Sequence, residues 1–138
     1  MGCHAGGSNS GDRHCQWLAH ASCRPARSLG LLHGSQPDGI VRCHDSTRET
    51  LRGWERYRLP HVGEAIDMHE RLARHTNPSA RCIGICVNTS GLPAADRLRY
   101  LEELQQDHRV PAVDPMIDGS GEIADHLREA FQTSHSDL

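Results

Sequence analysis

Apolar residues are concentrated in a few short runs, and one of these runs has the pattern of a buried β-strand. In Arg81–Asn88, three branched apolar residues alternate with two cysteines and a glycine. Because both sets are apolar or small, the pattern is typical of a strand that is covered on both faces, as in a parallel sheet. Two shorter apolar runs, Gly39–His44 and Val110–Val113, predict two further strands.

Apolar residues recur at helical spacing between and after these strands. They predict three helices, over Gly63–His75, Pro93–His108 and Ile123–Phe131. Strands that alternate with helices are typical of an α/β fold with a parallel sheet. We therefore expect the three strands to be adjacent and parallel, so that polar residues at their carboxyl ends line one edge of the sheet. These residues are His44, Asn88 and Asp114.

Three segments have no clear period. Met1–Arg27 contains Gly, Ser, His and Arg together with three of the six cysteines, and we expect it to be disordered or unrelated to the domain formed by Ser28–Leu138. Leu31–Asp38 has the composition of a polar turn that leads into the first strand. The arginine-rich Ser46–His61 predicts an ordered loop with no more than one helical turn.

The composition argues against several classes of function. The 138 residues suffice for one modest core, and the formal net charge of −3 offers no electrostatic attraction to nucleic acid or to an anionic membrane. No run approaches the roughly 20 apolar residues of a spanning helix, and the first ten residues lack the apolar centre of a secretory signal. We expect the six irregularly spaced cysteines to be free thiols in a reducing cytoplasm.

The basic residues are unusual, because all fifteen are arginines and the chain contains no lysine. A phosphate-binding loop of the type Gly-x-x-x-x-Gly-Lys-Ser/Thr uses its lysine to reach the β- and γ-phosphates. No such motif occurs in these residues. The chain by itself is therefore not expected to be a self-sufficient P-loop nucleotide-hydrolysing enzyme.

Four polar residues lie shortly before the first predicted strand, namely His33, Ser35, Gln36 and Asp38. Their imidazole, hydroxyl, amide and carboxylate groups could bind a polar ligand or a cofactor that carries phosphate. The alternative is a capped turn, in which Ser35 and Asp38 accept hydrogen bonds from the local backbone.

Further polar residues follow the first two predicted strands. A neutral His44 near the guanidinium of Arg48 could act as a general base beside an anion clamp, and the alternative is an exposed histidine in an arginine-rich loop. Asn88, Thr89 and Ser90 end the central strand, where Asn88 could contact a ligand. The alternative for this second group is a helix cap, with Ser90 as the capping residue.

The cysteines and histidines do not have the spacing of a metal site. Cys82 and Cys86 are four residues apart on a predicted strand, so we expect them to face the same side, beyond the reach of a disulfide. A Cys-x-x-Cys motif, or a His-x-x-x-His motif on a predicted helix, does not occur. We expect structural buried thiols and no bound metal.

The order of these motifs resembles the C-terminal part of the family catalogued as domain of unknown function 1611. The resemblance covers roughly Ser28–Phe131 and rests on Leu31–Asp38, Gly39–Asp45, Cys82–Val87 and Asn88–Gly91. Characterised members of the family include D-glutamate N-acetyltransferases, and their C-terminal domain resembles P-loop nucleotide-binding proteins. One position departs from the family pattern, which usually has an apolar residue where this chain has Arg42. A buried arginine is costly unless it is paired.

The resemblance implies an α/β fold with a partial P-loop-like, Rossmann-like parallel sheet and flanking helices. It also implies part of a cytoplasmic enzyme that transfers an acetyl group from acetyl-CoA to the amine of D-glutamate. The implied cofactor is acetyl-CoA or a nucleotide, and the implied partners are a small-molecule amino acid and, as an option, further copies of the chain. The family's N-terminal Rossmann-like domain and glycine-rich phosphate loop do not occur in these residues, so we expect the chain to be incomplete.

The resemblance also suggests roles for the polar residues. His33 or His44 is the candidate base, Arg48 the candidate partner of a substrate carboxylate, and Asn88 or nearby backbone amides the candidate donors to an oxyanion. The candidate cofactor-binding residues are Ser35, Gln36, Asp38, Asn88, Thr89 and Ser90. Two alternatives stay open, namely a truncated, inactive nucleotide-binding-like domain and a module that borrows its phosphate loop from a second chain. Whether this chain alone is an enzyme is left open.

Overall fold

The structure, a computed structural model, describes residues 25–51 and 53–132. Within these residues the chain forms four helices and five strands. Numbered along the chain, they are α1 (Pro25–Ser35), β1 (Gly39–Asp45), β2 (Thr50–Leu51), β3 (Trp54–Arg58), α2 (Val62–Ala73), β4 (Arg81–Asn88), α3 (Ala94–His108), β5 (Ala112–Val113) and α4 (Gly121–Gln132). None of the described helices is long and apolar enough to cross a membrane.

Three of the strands form one parallel sheet in the order β1–β4–β5. Asp45 at the end of β1 is opposite Asn88 at the end of β4, and Cys86 of β4 is opposite Val113 at the end of β5. The three strands therefore end at the same edge, which we call the carboxyl edge. This arrangement confirms the predicted α/β fold, the predicted parallel sheet and the predicted grouping of its polar strand ends.

The main hydrophobic core lies between the sheet and the helices α2 and α3. Its buried members come from both helices and from β4 and β5; they are Val62, Ile66, Ile85, Val87, Leu101, Leu104 and Ala112. The three helices predicted from apolar spacing are present as α2, α3 and α4, with ends that differ from the prediction by at most two residues. The helical period of the apolar residues was therefore a reliable signal where one helix face packs on the sheet.

The pairing of β1 with β4 is irregular near its start. Ile40 and Val41 are consecutive in β1 but lie opposite Cys82 and Gly84, so Ile83 has no partner residue in β1. Cys82 packs against the core formed with α2 and α3. Cys86 faces the other way, because both of its neighbours in the strand belong to that core. The prediction that Cys82 and Cys86 face the same side is wrong, since one extra residue in a strand reverses the alternation beyond it.

Helix α4 covers the opposite face of the sheet, where β4 has a glycine. A Cβ on Gly84 would lie 2.8–2.9 Å from three carbon atoms of Ile123, which is buried. We expect Gly84→Ala to lower the free energy of unfolding by about 1–3 kcal/mol, because overpacking forces the branched Ile123 and its helix to move. Chemical denaturation would measure this loss. Gly34→Ala is the control, since no atom lies within 4 Å of its added Cβ, and an unchanged stability of Gly84→Ala would contradict the prediction.

The segment Ser46–His61 contains a small antiparallel hairpin, formed by β2 and β3. The predicted ordered loop with at most one helical turn is therefore wrong. The strand pattern was hidden because Glu55, Arg56, Tyr57 and Arg58 are all exposed, so no apolar face alternates with a polar one. The turn depends on Gly53, whose φ of 82° lies in the left-handed region that glycine adopts readily.

The segment predicted as a polar turn before β1 is largely helical, because α1 extends to Ser35. Leu32 of α1 packs with Ile40, Ala73 and Ala80 in a second buried cluster. The prediction failed because Leu32 is the one buried residue among the described side chains of this helix, and because the helix contains two glycines, which are poor helix formers. The expected domain boundary near residue 27 falls within the first turn of α1, and residues 1–24 of the segment expected to be disordered lie outside the described residues.

Candidate functional site

The polar residues that received candidate roles in the sequence lie at opposite ends of the strands. His33, Ser35, Gln36 and Asp38 precede β1 and lie at its amino end, whereas His44 and the residues after it lie at the carboxyl edge. The seven residues of β1 separate the two groups by roughly 20 Å at the rise of an extended strand. The structure therefore does not bring the two groups into one site.

His33, Ser35, Gln36 and Asp38, which we call the amino-edge group, lie where the start of β1 meets the loop before β4. The side-chain amide of Asn77 donates to the carbonyl oxygens of Gln36 and Pro37, at 3.1 and 3.2 Å, and to Oδ1 of Asp38 at 2.8 Å. His33 donates from Nε2 to the carbonyl oxygen of Leu72, at 2.8 Å. These contacts hold the fold together, but they differ from the capped-turn alternative, because the printed partner of the Asp38 carboxylate is the distant side chain of Asn77 and not the local backbone.

At the carboxyl edge, Asp45 organises the loop after β1. Its Oδ1 accepts hydrogen bonds from the backbone N–H and the hydroxyl of Thr47, at 3.1 and 3.0 Å. Its Oδ2 lies 3.4 Å from the guanidinium of Arg48, whose side chain is 30% exposed. The carboxylate thus fixes the loop and places the Arg48 guanidinium at the edge of the sheet, where a negatively charged ligand can reach it.

The loops after β1 and β4 are also joined to each other. Ser46 donates from its N–H and its hydroxyl to the carbonyl oxygen of Asn88, at 3.2 and 2.9 Å. A Cβ on Gly91 would overlap the side chain of Thr47, so glycine is required for this close approach. The exposed side chain of Asn88 accepts a hydrogen bond from the N–H of Ser90 at 3.1 Å. Asn88 and Arg48 are therefore held on neighbouring, connected loops.

His44 faces α3, and its Nε2 lies 2.8 Å from the hydroxyl of Tyr100. The two rings are stacked, with an angle of 27° between their planes. Burial lowers the pKa of His44, the charge of Arg42 lowers it further, and the carboxylate of Asp45 opposes these effects. Burial and the charge of Glu103 raise the pKa of Tyr100. At neutral pH the site therefore contains a neutral imidazole, which can accept a proton, in contact with a neutral phenol.

Beneath these loops, Asp114 connects the ends of β4 and β5. Its Oδ2 accepts hydrogen bonds from the N–H of Thr89, at 3.0 Å, and from the Thr89 hydroxyl, and its Oδ1 accepts one from the N–H of Met116 at 3.0 Å. Asp114 and Thr89 are each 2% exposed. Burial raises the pKa of Asp114, but these hydrogen bonds and the charge of Arg97 outweigh it, so the pKa lies below its ordinary value.

Ser90 does not cap α3, although this was the structural alternative in the sequence. The helix begins at Ala94 and its N-cap position is Pro93, so Ser90 lies in the exposed turn before it. The prediction of Ser90 as the cap is wrong because Pro93, which suits the start of a helix, moves that start three residues further along. Thr89 has its hydroxyl bound to Asp114, so the exposed side chains on this strand end are those of Asn88 and Ser90.

Sequence reasoning missed two features of this edge. Tyr100 was not singled out, although a tyrosine about two turns into a predicted helix that follows a polar strand end was the available signal. The role of Asp114 as a buried acceptor was also missed, since the Asp-Pro pair after a strand is equally typical of an ordinary turn. Among the described residues, no group of three or more His, Cys, Asp or Glu side chains is placed to hold a metal ion.

A parallel α/β sheet with polar groups at its carboxyl edge is the architecture of proteins that bind ligands at that edge. A family model described as the P-loop domain of domain of unknown function 1611 matches residues 18–124. The chain belongs to this family, as its motifs indicated.

Two relatives and one solved structure agree with this assignment. The chain is 37% identical over 100 residues to the D-glutamate N-acetyltransferase of Tritonibacter scottomollicae and 41% identical over 100 residues to that of a Pseudoalteromonas species. Each match covers 72% of this chain and 30% of the relative. The crystal structure of a family member from Anabaena variabilis is similar with a TM-score of 0.70 at 21% identity, over 81% of this chain and 33% of that protein. The chain thus spans about a third of the length of the proteins it matches.

Proposed function

We propose that this chain supplies the part of an active site that binds D-glutamate, in an enzyme that transfers an acetyl group from acetyl-CoA to the amine of that amino acid. The observation that carries the proposal is the position of His44 at the carboxyl end of β1, in contact with Tyr100 and followed four residues later by the part-exposed Arg48. The names of the two relatives support the choice of reaction and substrate. The substrate contains the two groups that such a site would recognise, an amine that must lose a proton and carboxylates that need a cation.

In this reaction the amine attacks the thioester carbonyl, a C–N bond forms and the C–S bond breaks. The proton lost by the amine passes to a base and finally to the leaving thiolate, so that an amide and a thiol are formed. His44 is the candidate base, because an imidazole that stays neutral at pH 7 can accept this proton. Since Nε2 of His44 contacts the Tyr100 hydroxyl, the proton would reach the imidazole either through that hydroxyl or after its displacement.

Arg48 is the candidate partner of a substrate carboxylate. Its guanidinium is part-exposed and already oriented by Asp45, with the 3.4 Å separation of a loose ion pair. A guanidinium in this state can form a second, bidentate contact with an incoming carboxylate. Asn88, on the loop joined to that of Arg48, is the candidate donor to the oxyanion formed on the acetyl carbonyl.

The residues of this chain do not account for the phosphates of acetyl-CoA. Binding such phosphates usually requires a glycine-rich loop before a helix, together with a cation, and the chain contains neither that motif nor any lysine. We therefore assign the cofactor end of the site to residues outside this chain. The amino-edge group, with His33, Ser35, Gln36 and Asp38, receives no role in the reaction.

The test of the proposal is a chimera with the Pseudoalteromonas relative, in which the matched 100 residues are replaced by those of this chain. We expect the chimera to form N-acetyl-D-glutamate from acetyl-CoA and D-glutamate, measured by chromatography of the product. Arg48→Ala in the chimera should raise the KM for D-glutamate about 10- to 100-fold, as the loss of one charged contact. Arg128→Ala is the control, because that arginine is 65% exposed on α4, whose last turn contacts Arg81 at the amino end of β4, away from the carboxyl edge. A folded chimera without activity would favour the inactive-domain alternative.

The isolated chain provides a second prediction. We expect calorimetry to detect no binding, or only weak binding, of acetyl-CoA or ATP to the 138 residues, because the phosphates lack their usual partners. The relative from Pseudoalteromonas is the positive control for acetyl-CoA under the same conditions. Tight, stoichiometric binding by the isolated chain would contradict this prediction and would place the whole cofactor site within these residues.

A further inference from the structure

Arg42 is a buried cation in the middle of β1. The residue is 6% exposed, and its Nε is buried without a hydrogen-bond partner among the described residues. None of the ion pairs in the described part of the chain involves it. Because an arginine does not lose its proton in a protein, the described part of the fold contains a buried positive charge with which none of its carboxylates forms an ion pair.

Glu70 of α2 lies close to Arg42 but does not form an ion pair with it. Arg42 lines a small cavity together with Glu70 and Cys82. The carboxylate of Glu70 is already used, since Oε1 accepts the backbone N–H of Cys82 at 2.7 Å and Oε2 pairs with Arg74 at 2.7 Å. The field of Arg42 therefore extends through an apolar interior, where charge interactions are screened far less than in water.

His44 lies next to Arg42 on the same face of β1. The two residues are separated by one position, and their partners in β4, Ile85 and Val87, both belong to the core under α2 and α3. Side chains two positions apart on a strand are roughly 7 Å apart. At that distance, a charge in a partly dry environment acts measurably on the protonation of an imidazole.

We infer that Arg42 is a positioning residue for the carboxyl-edge site, because its buried charge adds to the effect of burial and so helps to keep His44 in the neutral form that a proton acceptor requires. The coupling between the two residues is independent of any reaction. Only its use in catalysis rests on the proposed function, in which His44 is the base.

The other charged and titratable groups near His44 are exposed, paired or neutral, so each has a smaller effect on the protonation of His44 than Arg42 has. On β1, Asp45 would favour the protonated imidazole, but it is part-exposed and paired with Arg48. On α3, Tyr100 is neutral and Glu103 is exposed at 62%. The lowered pKa of His44, caused by burial and then by Arg42, agrees with this arrangement.

The test is an NMR titration of the histidine ring protons in the full 138-residue chain. The His44 signal is assigned by its absence in His44→Gln. In Arg42→Met, which replaces the cation by an apolar side chain of similar length, we expect the pKa of His44 to rise toward the ordinary value of 6.5. Replacing an unpaired buried charge by a packed apolar group is commonly neutral or stabilising, and Arg42→Gln provides a second neutral variant.

Arg99→Met is the matched control, since it removes an equal charge from an exposed position beside Tyr100. We expect it to leave the titration of His44 nearly unchanged, and Arg42→Lys to keep the pKa near that of the parent chain. An identical His44 pKa in the parent and in both neutral variants would overturn the inference. A rise in all variants, Arg99→Met included, would do the same, because it would show a general charge effect.

The titration separates this inference from the proposed function. If the pKa moves as expected while the chimera fails to acetylate D-glutamate, the coupling stands and the reaction is wrong. If the chimera is active and the pKa does not move, the reaction stands and Arg42 has no part in it. In an active chimera, Arg42→Met should also shift the acidic limb of kcat/KM to higher pH, as expected when a base becomes easier to protonate.

Discussion

His44→Gln in the active chimera is expected to lower kcat by about 100-fold or more, the usual contribution of a positioned general base. Glutamine keeps a polar group near Tyr100 but cannot accept the proton of the attacking amine. The effect should be on kcat, with a smaller change in the KM for D-glutamate, because Arg48 and not His44 is assigned to the carboxylate. Steady-state kinetics with D-glutamate as the varied substrate measures both.

His33→Gln is the matched control for this experiment, since the sequence favoured either histidine as the base. His33 lies at the opposite end of β1 and donates to the Leu72 carbonyl oxygen, a contact that the glutamine amide can retain. Activity close to that of the parent chimera is expected. A large loss of kcat in His33→Gln, with His44→Gln unaffected, would move the site to the amino edge and contradict the assignment.

Asp114→Ala is expected to lower the free energy of unfolding of the 138-residue chain by about 3 kcal/mol or more. The substitution leaves the buried N–H and hydroxyl of Thr89 and the N–H of Met116 without their acceptor, and each unsatisfied buried donor costs about 1–3 kcal/mol. Denaturation by urea gives the value. Thr89→Val, which removes only the hydroxyl, should cost less, and the two losses should not add in the double variant because they share one contact.

The same carboxylate predicts how stability depends on pH. The pKa of Asp114 is lower in the folded chain than its ordinary value of 3.8, so its contribution is fully present above pH 3.8 and is lost as the pH falls through the folded-state pKa. In Asp114→Ala, the acid limb of the stability curve should therefore be shallower than in the parent. Equal slopes below pH 4 would show that Asp114 is not ionised in the fold, or not coupled to it.

The parts of the fold that could be predicted from the sequence are those in which a single hydrophobic pattern determines the secondary structure. Arg81–Asn88 is a strand in a covered parallel sheet because its residues are apolar or small on both faces, and no competing pattern exists. The helices on the main core were predicted for the same reason. The hairpin after β1 was missed because Glu55–Arg58 of its second strand have exposed side chains. Helix α1 was missed because Leu32 is the one buried residue among its described side chains.

The candidate site was predictable only in part, because a motif shows which functional groups are present but not at which end of a strand they lie. The sequence showed that His33 and His44 both neighbour the first strand, but only the three-dimensional structure shows that they lie at its opposite ends. Contacts between residues that are distant in the sequence could not be predicted. Neither the contact of the Tyr100 hydroxyl with His44 nor the hydrogen bonds from Thr89 to Asp114 produce a periodic pattern in the sequence. Arg42 was recognised as costly if buried, and the structure shows that it is buried and that its Nε has no hydrogen-bond partner among the described residues.

The pairing of β1 with β4 has a kinetic consequence, because it joins Gly39 to Arg81 and Asp45 to Asn88. Parallel neighbours cannot form by a local turn, and the chain must close a loop of about forty residues before the first of these pairs is made. Asn77 at one end and the Ser46–Asn88 contact at the other are then established together. Both ends of the sheet are thus products of the same slow, long-range step, and early helix formation in α2 or α3 creates neither of them.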